Sequence, residues 1–274
     1  MINPYLTWTG IEVDGIKSDC HNLLDYYFEQ LSLLSKDKTV LDIGCGAGHL
    51  GLKSKQFGAN KVFALDNNPI LLESLRKTKN LLSYDWLEII SMDAMDLPNG
   101  VDEPDIVIIG DNLPRNLLQN MWHLKLMELA IAWPNVKIIP NKITLTGKIV
   151  TSHHLDEIIN WKYGQFDDFL DSVVLNCMKN SPMTLSKQPD YIMTESEETI
   201  LTLFDYDNRR IECGNMEFNK SDSRRWLQLT MHLGNDQRIY KFDRQINFIP
   251  LDTTTTSVKM FVDKRHLSNT LVFK

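Results

Sequence analysis

Two aspartates and a run of glycines carry the chemistry in this sequence. Thr39-Val40-Leu41-Asp42-Ile43 reads as a short buried strand with an acid near its end, and Gly44, Gly46 and Gly48 follow at alternate positions. Glycines between a strand and a helix let backbone N–H groups approach a ligand with no Cβ in the way. Lys61 to Asp66 is a second strand ending in an acid, about 20 residues beyond the first, the spacing of a carboxylate that grips two ribose hydroxyls. A nucleotide-type ligand is therefore expected. The dinucleotide pattern G-x-G-x-x-G matches Gly46 to Gly51 literally, but it begins two residues beyond the strand end and leaves Gly44 outside. Started at the strand end, the register gives Gly44, Gly46 and then His49, and the dinucleotide match fails.

The elements that must hold these residues alternate between helix and strand. Leu23, Leu24, Tyr27, Phe28, Leu31 and Leu34 recur at helical spacing and predict a helix over 19–34. A helix over 50–57 is ended by Gly58-Ala59-Asn60, and another over 69–82 has Pro69 in its first turn. Leu87 to Ser91 is a third strand. Asp105 to Gly110 contains a fourth, apolar enough to be buried on both faces. This alternation predicts an α/β fold with an open parallel sheet covered by helices on both sides. Asp93 falls at the end of the third strand, where it could face a ligand or cap a short helix.

Beyond Pro134 the texture changes to short alternating runs: 143–151, 199–206, 226–233, 246–251, 258–262 and 270–273. Turn signals at Tyr206-Asp207-Asn208 and Gly234-Asn235-Asp236 separate some of them, which predicts an antiparallel β-barrel or sandwich. Between the runs, Phe166 to Cys177 is helix-like and Asn180 to Tyr191 is polar, so an arm-like insertion is expected over 166–191. Two domains follow, 1–140 and 141–274.

Composition narrows the partners. A net charge of −7 and a pI near 5.5 argue against strong nonspecific nucleic-acid or membrane-surface binding, and suit a basic peptide. Cys20, Cys45, Cys177 and Cys213 show no C-x-x-C or Cys/His spacing, so reduced thiols and no metal are expected. His153 and His154 are a tempting pair, but sequence neighbours would point apart on a strand. No apolar run reaches membrane-spanning length and no signal-peptide pattern opens the chain, so an intracellular protein, cytoplasmic or nuclear, is expected.

The segment from Asp42 to Gly48 resembles the D-x-G-x-G-x-G loop of class I S-adenosylmethionine (SAM) methyltransferases. That resemblance implies SAM as cofactor. Asp42 would lie near its methionine end, and the loop through Gly44, Cys45, Gly46 and Gly48 would pass under its carboxylate and ribose. Asp66 would hold the ribose hydroxyls, with Asn67 beside it in the same site. Asp93 would take the exocyclic amine of adenine, and the N–H of Ala94 would reach a ring nitrogen.

The join Ile138-Ile139-Pro140-Asn141-Lys142-Ile143-Thr144-Leu145 is similar to the I-x-P-x-x-x-x-L junction of protein arginine methyltransferases. Glu198 to Asp205, Leu229 to Leu233 and Leu117 to Leu124 are most similar to the C-terminal modules of that family's tandem members. The resemblance implies a SAM-binding, Rossmann-like sheet followed by a β-barrel. It also implies a protein or peptide substrate, Arg-rich in this family, and pairing as a homo- or heterodimer through an arm.

The departures concern the substrate clamp. The family holds a guanidinium between two glutamates, because paired carboxylates match its forked donors. Here Asp111 stands in the place of the first, the second position falls at or near Asn120, and no carboxylate occurs from Asn112 to Leu126. The family's Thr-His-Trp barrel loop is missing, and the nearest equivalent segment is Tyr240 to Arg244. Three functions are left open: an arginine-type methyltransferase with Asp111 orienting the substrate nitrogen, a degenerate methyltransferase that scaffolds a partner, and a methyltransferase acting on another nucleophile.

Overall fold

Four consecutive apolar residues, Ile106–Ile109, form a strand with every side chain buried, and they sit inside the sheet that organises the first half of the chain. The computed structural model describes residues 19–110, 122–157, 183–185, 192–234, 239–263 and 268–274. Strands β1 (Thr39–Ile43), β2 (Lys61–Asp66), β3 (Leu87–Ser91), β4 (Ile106–Ile109) and β5 (Lys137–Ile139) make a parallel sheet in the order β3-β2-β1-β4-β5. Successive connections step outward from β1 to β3, and the chain then returns to the other side of β1. The order therefore reverses between β1 and β4, where open parallel sheets bind ligands.

Helices cover both faces, as the alternation predicts. On one side α1 (Asp19–Leu34), α2 (His49–Gln56) and α3 (Pro69–Leu82) bury Tyr27, Leu31, Leu50, Leu72 and Leu75 against Val40, Val62, Ala64 and Ile108. Asn68 caps α3 by accepting from the N–H of Ile70 at 3.0 Å, with Pro69 in the first turn where its missing N–H is harmless. On the other side α4 (Trp122–Ala132) packs Leu124, Leu126, Met127 and Leu129 against Leu41, Ile43, Val107 and Ile109. Among the described residues no helix is long and apolar enough to cross a membrane, and no three His, Cys, Asp or Glu side chains are placed to share a metal.

The parallel sheet ends at Ile139, and antiparallel pairing begins at Lys142. Seven strands form one sheet: β6 (Lys142–Thr151), β7 (Met183–Leu185), β8 (Met193–Thr194), β9 (Thr199–Asp205), β10 (Arg210–Cys213), β12 (Arg225–Gly234) and β13 (Ile239–Leu251). Three more, β11 (Asn215–Glu217), β14 (Ser257–Asp263) and β15 (Ser268–Phe273), form a second. All their pairings are antiparallel. The two sheets share one apolar cluster, which takes in Leu227, Leu229 and Met231 of the first and Val258 and Met260 of the second. Gly147 on β6 makes room for side chains of its two neighbours within the larger sheet, since a Cβ there would stand 2.7 Å from Leu201 Cδ1 of β9 and 3.0 Å from Leu227 Cδ1 of β12.

The interior is continuous from one half to the other. One apolar cluster joins Leu41 and Ile43 of β1, the inner side of α4, and Ile143, Phe204 and Leu229 of the antiparallel sheet. A polar clamp reinforces it at the β9–β10 turn. Arg209 Nε donates to Ala130 O at 2.8 Å, its guanidinium also bonds Pro134 O, and Asp207 pairs with Lys137 at 3.0 Å while accepting from Asn141 at 2.8 Å. Fully buried Asp205 is held by Lys142 at 3.3 Å and by the N–H of Asn208 at 3.0 Å.

Candidate active site

The C-terminal ends of β1, β2, β3 and β4 open onto a cavity of about 290 Å³. Gly44, Gly46 and Gly48 carry the chain from β1 to α2 with φ of +65°, +54° and +81°, a left-handed conformation that a side chain would strain. Gly44 and Gly46 line the cavity, and a Cβ on Gly46 would meet nothing closer than Leu71 Cδ1 at 4.0 Å. Its backbone is thus left open to a ligand. Gly48 does not line the cavity; a Cβ there would reach 3.0 Å from Leu75 Cδ1, so this glycine lets α2 start close to α3.

Asp66 is aimed by the backbone: Oδ2 accepts from the N–H of Gly46 at 2.9 Å and Oδ1 from the N–H of Asn68 at 2.8 Å. Each oxygen keeps a further lone pair for a ligand hydroxyl. Asp42 is almost wholly buried, and its Oδ2 accepts from the N–H of Gly51 at 2.9 Å. Burial pushes its carboxyl up to about 7; the Gly51 N–H pulls the other way and the Asp66 charge adds to the rise. Asp93 Oδ1 accepts from the N–H of Met95 at 2.9 Å and so caps the short 3₁₀ turn Ala94–Asp96. The cap and a place on the cavity wall go together here, since Asp93 and Ala94 both line it.

Eight of the nine cofactor-site residues that the sequence points to, Asp42, Gly44, Cys45, Gly46, Asp66, Asn67, Asp93 and Ala94, line this one cavity; Gly48 stands behind it. Burial, helped by the nearby Asp42 and Asp66 charges, pushes the Cys45 thiol far above the ordinary range, which disfavours the thiolate. Asp111, the candidate catalytic carboxylate, lies outside the described residues, although its neighbour Gly110 is on the cavity wall. Asn120, the arm-like segment apart from β7, and the side chains of Tyr240 to Arg244 also lie outside them.

Several contributors escape the sequence reading. Gly51, the last glycine of the literal dinucleotide match, allows α2 to touch β2, since a Cβ there would stand 2.9 Å from Val62 Cγ1 and 3.2 Å from Asp42 Oδ2. Leu71, Met92 and Trp122 give apolar walls suited to a flat heterocycle. Trp122 begins α4, and one turn later buried Lys125 donates to Leu97 O and pairs with Glu128 at 3.1 Å, which ties that helix to the turn after β3. His49 also lines the cavity, and burial lowers its imidazole below the usual value.

The electrostatics discriminate between ligands. The described lining residues include three carboxylates, Asp42, Asp66 and Asp93, and no lysine or arginine. Such a wall opposes the pyrophosphate of a dinucleotide and favours a nucleoside bearing positive charge.

Comparison with known proteins agrees with this geometry. Residues 40–124 match the model of a methyltransferase domain family. The ribosomal protein L11 methyltransferase of Clostridium botulinum is 32% identical over 89 residues, covering 32% of this chain and 26% of that protein. Protein arginine N-methyltransferase 1 of Chlamydomonas reinhardtii is 26% identical over 174 residues, covering 61% of this chain and 49% of that protein. The chain thus spans less than half the length of these curated relatives. Among solved structures, the Trypanosoma brucei PRMT1 enzyme-prozyme complex with AdoHcy superimposes with a TM-score of 0.60 at 19% identity, over 88% of this chain and 84% of that one. A structure of PRMT6 gives 0.59 at 11% identity, over 93% and 98%. The chain carries a class I, SAM-dependent type of methyltransferase domain and shares the two-part fold of the protein arginine methyltransferases.

Proposed function

We propose that this chain binds SAM in the cavity at the ends of β1–β4 and is a methyltransferase of protein-arginine type with an incomplete substrate clamp. The observation that carries the reading is an acidic, glycine-floored cleft at the point where the strand order reverses. Asp66 would hold the ribose, Asp42 the methionine ammonium, and Asp93 with Ala94 the adenine edge, while Leu71, Met92 and Trp122 exclude water. SAM supplies an electrophilic methyl on a sulfonium, and methyl transfer is a direct displacement governed mainly by positioning. Asp111 would orient the incoming nitrogen. A guanidinium on a basic peptide suits the acidic chain, and division into units at residue 140, with pairing between chains, follows the same family pattern.

A second reading is favoured by one feature. The absence of any carboxylate from Asn112 to Leu126 leaves a guanidinium with half its clamp. That favours a degenerate methyltransferase retained for what its surface binds. Calorimetric titration with SAM, AdoHcy and NAD, followed by transfer of radiolabelled methyl to Arg-rich peptides, separates the two. Under the first reading SAM and AdoHcy bind, NAD does not, and Asp111→Asn abolishes transfer while binding survives. Asp66→Ala should weaken SAM by about 1.5–3 kcal/mol. Binding without transfer to any peptide supports the scaffold, and no SAM binding at millimolar concentration refutes the cofactor assignment.

A further inference from the structure

β1 and β4 pair through Ile43 and Ile109 and then part. Past Ile43 the amides of Gly44 and Cys45 both turn to Leu65 O, at 2.8 and 3.0 Å, so the end of β1 leans toward β2. On the other flank of β4, Ile139 of β5 is followed by Pro140, which has no N–H to give. The crevice opens where these ladders run out, and there the carbonyl of fully buried Ile109 must find a donor away from the sheet. It finds one in the Tyr27 hydroxyl, which reaches across from α1 and donates to it at 2.7 Å. Tyr27 is itself fully buried, and its ring packs edge-on against Tyr26 with centroids 5.6 Å apart. The next residue, Gly110, lines the cavity, and Asp111 follows it.

We propose that Tyr27 is a positioning residue of the site: its hydroxyl fixes the end of β4 where the strands diverge, and so places the methyl-donor end of the cleft. The proposal rests on reading the cavity as a SAM site. The adenosine part of such a ligand would lie over the ends of β2 and β3, at Asp66 and Asp93, remote from this prop. Its amino-acid part would lie over β1 and β4. Tyr27 acts on one end of the ligand and leaves the other alone.

Tyr27→Phe keeps the ring and removes only the hydroxyl. Affinities of the full chain and the variant are measured for SAM, AdoHcy and adenosine, the last by displacement. SAM and AdoHcy should each weaken by about tenfold, a loss on the scale of one buried hydrogen bond, while adenosine is unmoved. Amide exchange should quicken at Gly110 and stay unchanged at Ala64 in β2. Ile249→Val, a mild core change in the distant antiparallel sheet, should move none of these readouts. Equal weakening of all three ligands marks a merely structural tyrosine, and unchanged affinity for all three removes the role altogether; either outcome overturns the proposal. If the wild-type chain binds neither SAM nor AdoHcy, the cofactor reading fails and takes this proposal with it. Wild-type binding with uniform variant behaviour refutes Tyr27 alone.

Discussion

Asp42 makes the protein less stable as it ionises, and Asp42→Asn should show it. The carboxyl is buried with one N–H donor, and its affinity for a proton rises from the ordinary 3.8 to about 7 in the folded chain. An acid raised in this way binds its proton more tightly folded than unfolded, so its contribution is fully present below pH 3.8 and is lost as pH climbs to about 7. At about 1.4 kcal/mol per pH unit, the loss approaches about 4 kcal/mol between pH 4 and pH 8. Asparagine cannot ionise, and its carbonyl can still accept from Gly51. Urea unfolding of both proteins at pH 4, 6 and 8 measures the difference. Asp105 and Asp205, whose carboxyls are lowered, slope the other way in both proteins and cancel. The wild type should lose ground to the variant as pH rises, and the variant, though the more stable at pH 8, should bind SAM less well. Parallel curves at all three pH values would refute the reasoning.

Gly51→Ala should cost about 1–3 kcal/mol by forcing a Cβ onto Val62 and Asp42, read as a lower melting temperature with weakened SAM binding. Arg209→Ala removes the guanidinium bonds to Ala130 O and Pro134 O at the end of α4, and the urea midpoint should fall by the equivalent of about 1–2 kcal/mol; no change would show the clamp to be ornamental. Native alkylation at pH 8 followed by peptide mapping should leave Cys45 unmodified while exposed Cys213 reacts.

The parts of this fold written in local pattern were legible. The glycine loop, the acids closing β1 and β2, and the period-2 runs of β6, β9 and β12 all stand within a residue or two of where spacing puts them. What was illegible depends on tertiary placement. α4 is apolar nearly all round, because the parallel sheet lies on one side of it and the antiparallel sheet on the other, so it shows no clear amphipathic stripe. Trp122 gives no local sign that its ring will close a cavity built over 50 residues earlier. Gly51 falls outside the glycine register that starts at the strand end, yet it has the dinucleotide motif's packing duty between helix and strand. β11 is three residues long, too short for any periodicity to reveal that it pairs with β14 rather than β10.

The unbroken apolar interior from β1 through α4 to β12 also limits how the molecule can move. Units that meet across a wet, polar seam can swing apart to admit a substrate, but a shared close-packed core cannot be pulled open without exposing it to water. Hinge motion between the two halves therefore carries the cost of exposing that core, and under the proposed function a substrate would reach the cavity with the halves held together.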